Sequence, residues 1–105
     1  MEKPNLNYIK ELSGGDLEFE QKILSILKNE LPEEIKLYLQ TIKDKSLSET
    51  AEVVHKIKHK ISILGLEKAH SFAEVYENDL KLGKAVKHDE FSKILGNMSQ
   101  FLAEK

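Results

Sequence analysis

With 105 residues, 32% of them charged and 40% hydrophobic, the chain has the size and composition of one folded domain over residues 1–105. It contains no cysteine, which excludes disulfides and thiolate chemistry, and its net charge of −2 disfavours a dedicated nucleic-acid binder. Because no apolar run reaches the roughly 20 residues of a membrane span and the N-terminus lacks the apolar core of a signal peptide, we expect a cytoplasmic protein.

The spacing of apolar residues in the first half of the chain predicts two helices. A short first helix spans residues 5–12 and ends at the Ser-Gly-Gly of residues 13–15. Asp16 can cap a second helix, whose apolar stripe keeps helical spacing over residues 24–42. Because this stripe stays in phase across Pro32, we interpret it as one long helix with a bend; two helices are the alternative.

Three further helices are predicted in the second half. Ser46 and Glu49 have the form of a capping box, so the third helix begins near Ser46, and Gly65 is its expected C-terminal glycine. The fourth helix ends at Gly83, and the fifth carries an apolar stripe over residues 91–102. Four amphipathic helices with short connections predict an all-α fold, an antiparallel up-down-up-down four-helix bundle with a short additional N-terminal helix.

The third helix has two faces on a helical wheel. Its core face consists of Val54, Ile57, Ile61 and Leu64. A second, polar face consists of His55, Lys58, His59 and Ser62. We therefore expect His55 to be exposed in mid-helix with Lys58 one turn further on, whereas Lys60 lies on the opposite side.

An exposed imidazole beside a lysine is suited to accept a phosphoryl group. Neutral imidazole is a good nucleophile because its pKa is about 6.5. The product would carry roughly two negative charges, which a lysine one turn away stabilises. Lys56, Lys58 and Lys60 would also attract the acidic pocket of a partner. A solvated helix face without special function explains the same spacing.

The sequence His55-Lys-Ile-Lys58, followed by Leu64-Gly65, resembles the motif of histidine-containing phosphotransfer (HPt) domains, which are intermediates of two-component phosphorelays. Three other segments are similar to family features, and the resemblance covers nearly the whole chain. The three segments are Leu6-x-x-Ile9-x-x-Leu12-Ser-Gly-Gly15-Asp16 before the second helix, Leu31-Pro32 within the second helix, and Tyr76-Glu77 as the hydrophobic-acidic pair of the fourth helix. The resemblance implies a four-helix bundle with an extra N-terminal helix.

By this resemblance His55 is the phospho-acceptor, Lys58 neutralises the phosphoryl group, and Gly65 is the turn glycine after the third helix. The chain departs from the family at His59, where a small residue is common, and at Lys60-Ile61 beside it. His59 would either hinder docking or flank the phosphoryl site with a hydrogen bond. The implied partners are response-regulator receiver domains, including those of hybrid histidine kinases, which bring their own Mg²⁺. The chain itself would need no cofactor or metal, have no autonomous kinase or ATPase activity, and act as a monomer.

The expected docking surface for a receiver domain lies around the polar face of the third helix. Lys56 and Ser62 border His55, and Ile63 falls outside the core arc on the same side. Ile9 and Leu12 would add apolar area from the first helix.

Other interpretations remain open at this point. The main alternative is a helical module that binds a receiver or another protein without accepting phosphate. His55 and His59, four residues apart, are a familiar pair of metal ligands, but the neighbouring lysines repel a cation. Hydrolase chemistry lacks an acid beside the histidines, and nucleic-acid binding lacks interleaved aromatic residues. His70 and His88 are interpreted as structural or incidental, with His88 exposed in the last helix.

Overall fold

The computed structural model describes residues 2–105 and contains five helices and no strand in that range, which confirms the all-α prediction. The helices are α1 (Asn7–Ser13), α2 (Leu17–Lys43), α3 (Leu47–Ile63), α4 (Glu67–Lys81) and α5 (His88–Ala103). α3 packs against α2 and α4, and α2 also packs against α1 and α5.

The long second helix is continuous through its proline. α2 has 27 residues, so the one-helix interpretation is confirmed. The Asp16 carboxylate accepts a hydrogen bond from the Phe19 N–H at 3.1 Å, which caps the helix as predicted. Pro32 is exposed, whereas its neighbour Leu31 is buried in the core. The helix tolerates the missing N–H bond because tertiary packing of its apolar stripe stabilises it on both sides of the proline.

The ends of α3 agree with the sequence in position but differ in detail. α3 begins after Ser46 as predicted, yet within residues 2–105 the Ser46 side chain makes no capping hydrogen bond, so the capping box is wrong. Instead, the Ser46 backbone carbonyl accepts two hydrogen bonds from Thr50, one from its N–H at 2.9 Å and one from the Thr50 hydroxyl at 3.0 Å. Gly65 follows the helix with a φ of +75°, as expected for a C-terminal glycine. A Cβ on Gly65 would lie 2.6 Å from the Asn5 side-chain nitrogen.

The core contains apolar side chains from all five helices, including Ile9, Leu31, Ile57, Leu80 and Met98. A chain of hydrogen bonds crosses it, which we call the tyrosine–histidine chain (Tyr76, Tyr38 and His88). The Tyr38 hydroxyl lies 2.6 Å from the Tyr76 hydroxyl and 2.7 Å from His88 Nδ1. Burial raises the pKa of both tyrosines, so both stay protonated.

His88 is not exposed as predicted, and of its two predicted interpretations, structural or incidental, the contacts support the structural one. It is half-buried at the start of α5, and its ring stacks obliquely on Tyr38 with 5.6 Å between ring centroids. The contact connects α5 with α2 and α4, which is a structural role.

Lys60 forms the main polar connection between α3 and α2. Its side chain is largely buried, and Nζ lies 2.9 Å from a Glu30 oxygen and 3.0 Å from a Glu34 oxygen. Burial alone would lower the pKa of Lys60, but the hydrogen bonds with Glu30 and Glu34 outweigh it, and the pKa is raised. The prediction that Lys60 points away from His55 is confirmed.

Candidate functional site

His55 lies in the middle of α3 with about half of its side chain exposed, as the helical wheel predicted. The inner edge of its ring faces α4. His55 Nδ1 lies 3.2 Å from each of the two carboxylate oxygens of Glu77. The packing of α3 against α4 therefore sets the orientation of the imidazole, and it leaves the outer edge of the ring open to solvent.

Glu77 is the centre of the site and contacts three basic side chains. Its residue is only 7% exposed. Lys58 Nζ lies 3.1 Å from Oε1, and Lys81 Nζ lies 3.3 Å from Oε2. Burial alone would raise the pKa of Glu77, but hydrogen bonds with Lys58, His55 and Lys81 outweigh it and hold the pKa below its ordinary value. Glu77 is therefore ionised at neutral pH.

The charge of Glu77 determines which nitrogen of His55 carries the proton. An ionised carboxylate has no proton to donate, so it can only accept from Nδ1–H. When the ring is neutral, Nε2 then holds the free lone pair. Since Nδ1 faces Glu77, the nucleophilic nitrogen is on the other edge of the ring. The geometry thus prepares His55 Nε2 to attack an electrophile that approaches from solvent.

Lys58 and His55 are brought together through the same carboxylate. The Lys58 side chain is 13% exposed, so its stem lies along apolar surface and its ammonium ends at Glu77. This agrees with the expectation that Lys58 lies one turn further along α3 than His55 and beside it.

His59 lies directly beside His55. The two rings are perpendicular, with 5.0 Å between their centroids, and His59 is exposed. It is therefore a direct neighbour of the His55 ring on the exposed face of α3.

An open cleft between α3 and α4 gives access to His55. Its lining consists of Ser48, Ala51, Glu52, His55, Lys56, Glu77 and Lys81. The lining thus places one lysine from each helix, together with two glutamates, around His55.

The predicted docking residues have different surroundings. Lys56, Ser62 and Leu12 are exposed. Ile63 is half-buried and packs against the core, so it contributes less free surface than the wheel suggested. Ile9 is fully buried, which corrects its assignment to the docking surface: its side chain holds α1 onto the core.

Two residues of the site were missing from the sequence-based assignment. Glu77 was noticed as part of a family-like pair but was given no role at the site. Lys81, at the end of α4, was not assigned to the site. A signal was present in the sequence, since Lys81 follows Glu77 by four residues and such pairs meet on one helix face. The contact of Glu77 with His55 had no local signal, because 22 residues separate them.

Within residues 2–105 no group of three or more histidine, aspartate or glutamate side chains is placed to hold a metal ion. Across the same residues, every helix is too short or too polar to cross a bilayer. No family model, curated protein or solved structure matches this chain. Its function is therefore inferred from the geometry around His55.

Proposed function

We propose that the chain is a histidine phosphotransfer protein of a two-component phosphorelay. It accepts a phosphoryl group on His55 from the phospho-aspartate of a receiver domain and passes it to another receiver. The observation that carries the proposal is the contact of His55 Nδ1 with the ionised Glu77, at 3.2 Å from each oxygen, while the opposite ring edge is open. This open position leaves room for a protein partner to bring a reactive phosphoryl group to His55.

The transfer step follows from this arrangement. The Nε2 lone pair attacks the phosphorus in line, an N–P bond forms, and the P–O bond to the aspartate breaks with its electron pair moving to the leaving carboxylate. The ring becomes positively charged and keeps its proton on Nδ1, where Glu77 stabilises it. Lys58 exchanges its contact with Glu77 for the phosphoryl oxygens. Transfer to the second receiver is the same step in reverse.

The receiver supplies the remaining parts of the chemistry. Its acidic pocket and Mg²⁺ balance the charge on the phosphoryl group during transfer. Lys56 and Leu12 are exposed and available for contact with the partner, as charged and apolar docking groups respectively. This chain alone would have no kinase or ATPase activity.

We also propose that α2 to α5 run antiparallel, up-down-up-down, with α1 as an addition on α2. Short connections support this order, since α2 ends at Lys43 and α3 begins at Leu47, and α3 ends at Ile63 and α4 begins at Glu67. Consecutive long helices joined by so few residues pack side by side in opposite directions.

A second candidate function is a module that binds receiver domains without accepting phosphate. The His59 ring favours it, because a bulky side chain whose ring centroid lies 5.0 Å from that of His55 occupies space beside the imidazole. Under this alternative His55 contributes contact area and no chemistry.

Phosphoryl transfer from several phosphorylated receivers, with Mg²⁺ present, separates the two candidates. Wild type, His55→Gln and the matched control His59→Gln are compared, with helical circular dichroism on all three. We expect acid-labile, base-stable phosphate on wild type and on His59→Gln, and none on His55→Gln. Binding of receivers without label on any variant would support the docking module and reject phosphotransfer.

A further inference from the structure

We propose that Lys81 is a second phosphoryl-binding residue, so that Lys58 and Lys81 bind the phosphate on His55 from two sides. This inference rests on the proposed phosphorylation of His55. The ordinary explanation of Lys81 is a surface pair with Glu77 within one helix, which contributes little to stability. Three observations go beyond that explanation.

The first observation is the arrangement of the two lysines around one carboxylate. Lys58 Nζ contacts Oε1 at 3.1 Å, and Lys81 Nζ contacts Oε2 at 3.3 Å. His55 Nδ1 lies 3.2 Å from both oxygens. Each ammonium therefore shares one Glu77 oxygen with the imidazole, and the two lysines come from different helices, Lys58 from α3 and Lys81 from α4.

The second observation is that Lys81 is free to move toward the phosphoryl group. It lines the same cleft as His55, and 60% of its side chain is exposed. Its flexible four-carbon stem allows the ammonium to leave Glu77 Oε2 and turn toward a group on the His55 ring. Lys58, with 13% exposure, is held more firmly.

The third observation is the charge around His55. Three lysines and two glutamates surround the ring, an excess of one positive charge while the imidazole is neutral. They are Lys56, Lys58, Lys81, Glu52 and Glu77. A phosphoryl group adds roughly two negative charges, and the phosphorylated ring with its Nδ1 proton adds one positive charge. The phosphorylated site is then neutral, whereas without Lys81 it carries an uncompensated negative charge.

The test measures the equilibrium constant for phosphoryl exchange between a receiver and this chain, from the amounts of both phosphorylated proteins at equilibrium. This constant depends only on the free, separated species, so lost docking contacts can change the rate of exchange but not the constant. We expect Lys81→Gln to lower this equilibrium constant, in the direction of phosphate on His55, by roughly threefold to tenfold. The effect should be smaller at high salt. Lys81→Arg should keep the wild-type constant.

Lys68→Gln is the matched control, because it removes the same charge from α4 about 20 Å away along the helix, and it should leave the constant unchanged. An unchanged constant for Lys81→Gln, even with slower exchange, would overturn the inference while leaving His55 as the acceptor. Wild type that carries no phosphate on His55 would overturn both the proposed function and this inference.

Discussion

Replacement of Glu77 by glutamine removes the negative charge at the centre of the site and nearly preserves the shape of the side chain. Lys58 then loses its anionic partner at 3.1 Å, although its side chain is only 13% exposed. His55 Nδ1 loses its charged acceptor. Both groups sit close to the surface, so water replaces part of what is lost. The perturbation therefore tests the carboxylate specifically, without a cavity in the core.

The expected loss of stability follows from these contacts. A hydrogen bond to a charged group contributes roughly 1.5–3 kcal/mol when buried. The exposed Lys81 pair adds only a few tenths of a kcal/mol, and the glutamine oxygen still accepts one hydrogen bond. We therefore expect Glu77→Gln to lower the free energy of unfolding by about 1–2 kcal/mol at neutral pH.

The pH dependence gives the prediction a definite sign. The pKa of Glu77 is held below its ordinary value in the folded chain. The stabilising contribution of the Glu77 carboxylate is therefore fully present above the carboxyl pKa of the unfolded chain, about 4.3. It is lost as the pH falls through the lower pKa of the folded chain. The difference between wild type and Glu77→Gln should be largest at neutral pH and shrink toward zero in strong acid.

Urea denaturation followed by far-ultraviolet circular dichroism, at neutral pH and at about pH 3, measures this difference. Glu74→Gln is the control, since Glu74 is exposed on the same helix, and it should change stability by less than about 0.5 kcal/mol. Two results would refute the stabilising role of the Glu77 carboxylate. One is a loss of unfolding free energy for Glu77→Gln at neutral pH that is no larger than that of Glu74→Gln. The other is a loss at about pH 3 that is as large as at neutral pH.

Three further predictions concern the fold. Gly65→Ala should lower the free energy of unfolding by about 1–3 kcal/mol in urea denaturation, because its φ is +75° and the new Cβ would meet the Asn5 side chain at 2.6 Å. The control Gly14→Ala shares the positive φ, but its Cβ meets no described atom within 4 Å, so it should lower the free energy of unfolding less. Tyr38→Phe removes the central hydroxyl of the tyrosine–histidine chain, so it should cost about 1–3 kcal/mol and lower the thermal midpoint. It should also change the NMR signals of the histidine in this chain, which loses its hydrogen-bond partner. Unchanged signals would contradict the hydrogen bond. Lys60→Met should lower the free energy of unfolding by about 1–3 kcal/mol in urea denaturation, because it leaves two α2 glutamates without their cation. An unchanged free energy of unfolding would mean that the two ion pairs of Lys60 contribute little.

The helices were predictable because their signals are local. The apolar spacing in α2 continues in phase across Pro32, and the exposed position of this proline lets the helix continue. Gly65 and Asp16 were recognised from the positions that helix ends favour. The capping box at Ser46 failed because Thr50, and not the Ser46 side chain, completes the hydrogen bonds at this end.

The site was predictable only where one helix determines it. A helical wheel suffices to predict that His55 is exposed, that Lys58 lies one turn further on and that Lys60 lies on the opposite side. The contact between Glu77 and His55 depends on how α3 and α4 pack, which residue spacing within either helix does not encode. The burial of Ile9 likewise depends on where α1 rests on the core.

The N-terminal segment is a further case in which the chain's local pattern was uninformative. The Glu2 carboxylate accepts hydrogen bonds from the N–H groups of Lys68 at 2.9 Å and Ala69 at 3.0 Å, and so caps α4 from 66 residues away. The residue before α4, Leu66, has an apolar side chain that cannot accept these hydrogen bonds. A cap from a distant segment cannot be found by reading the residues beside the helix.

The central claim is that Nε2 of His55 forms the bond to phosphorus while Nδ1 stays protonated on Glu77. The most direct measurement is nitrogen–phosphorus correlation NMR on ¹⁵N-labelled protein, after transfer from a phosphorylated receiver with Mg²⁺. We expect one phosphorus signal, coupled to His55 Nε2, that is missing in His55→Gln. Phosphorus coupled to His59 or to Nδ1 of His55, or no coupled phosphorus although a receiver binds, would contradict it.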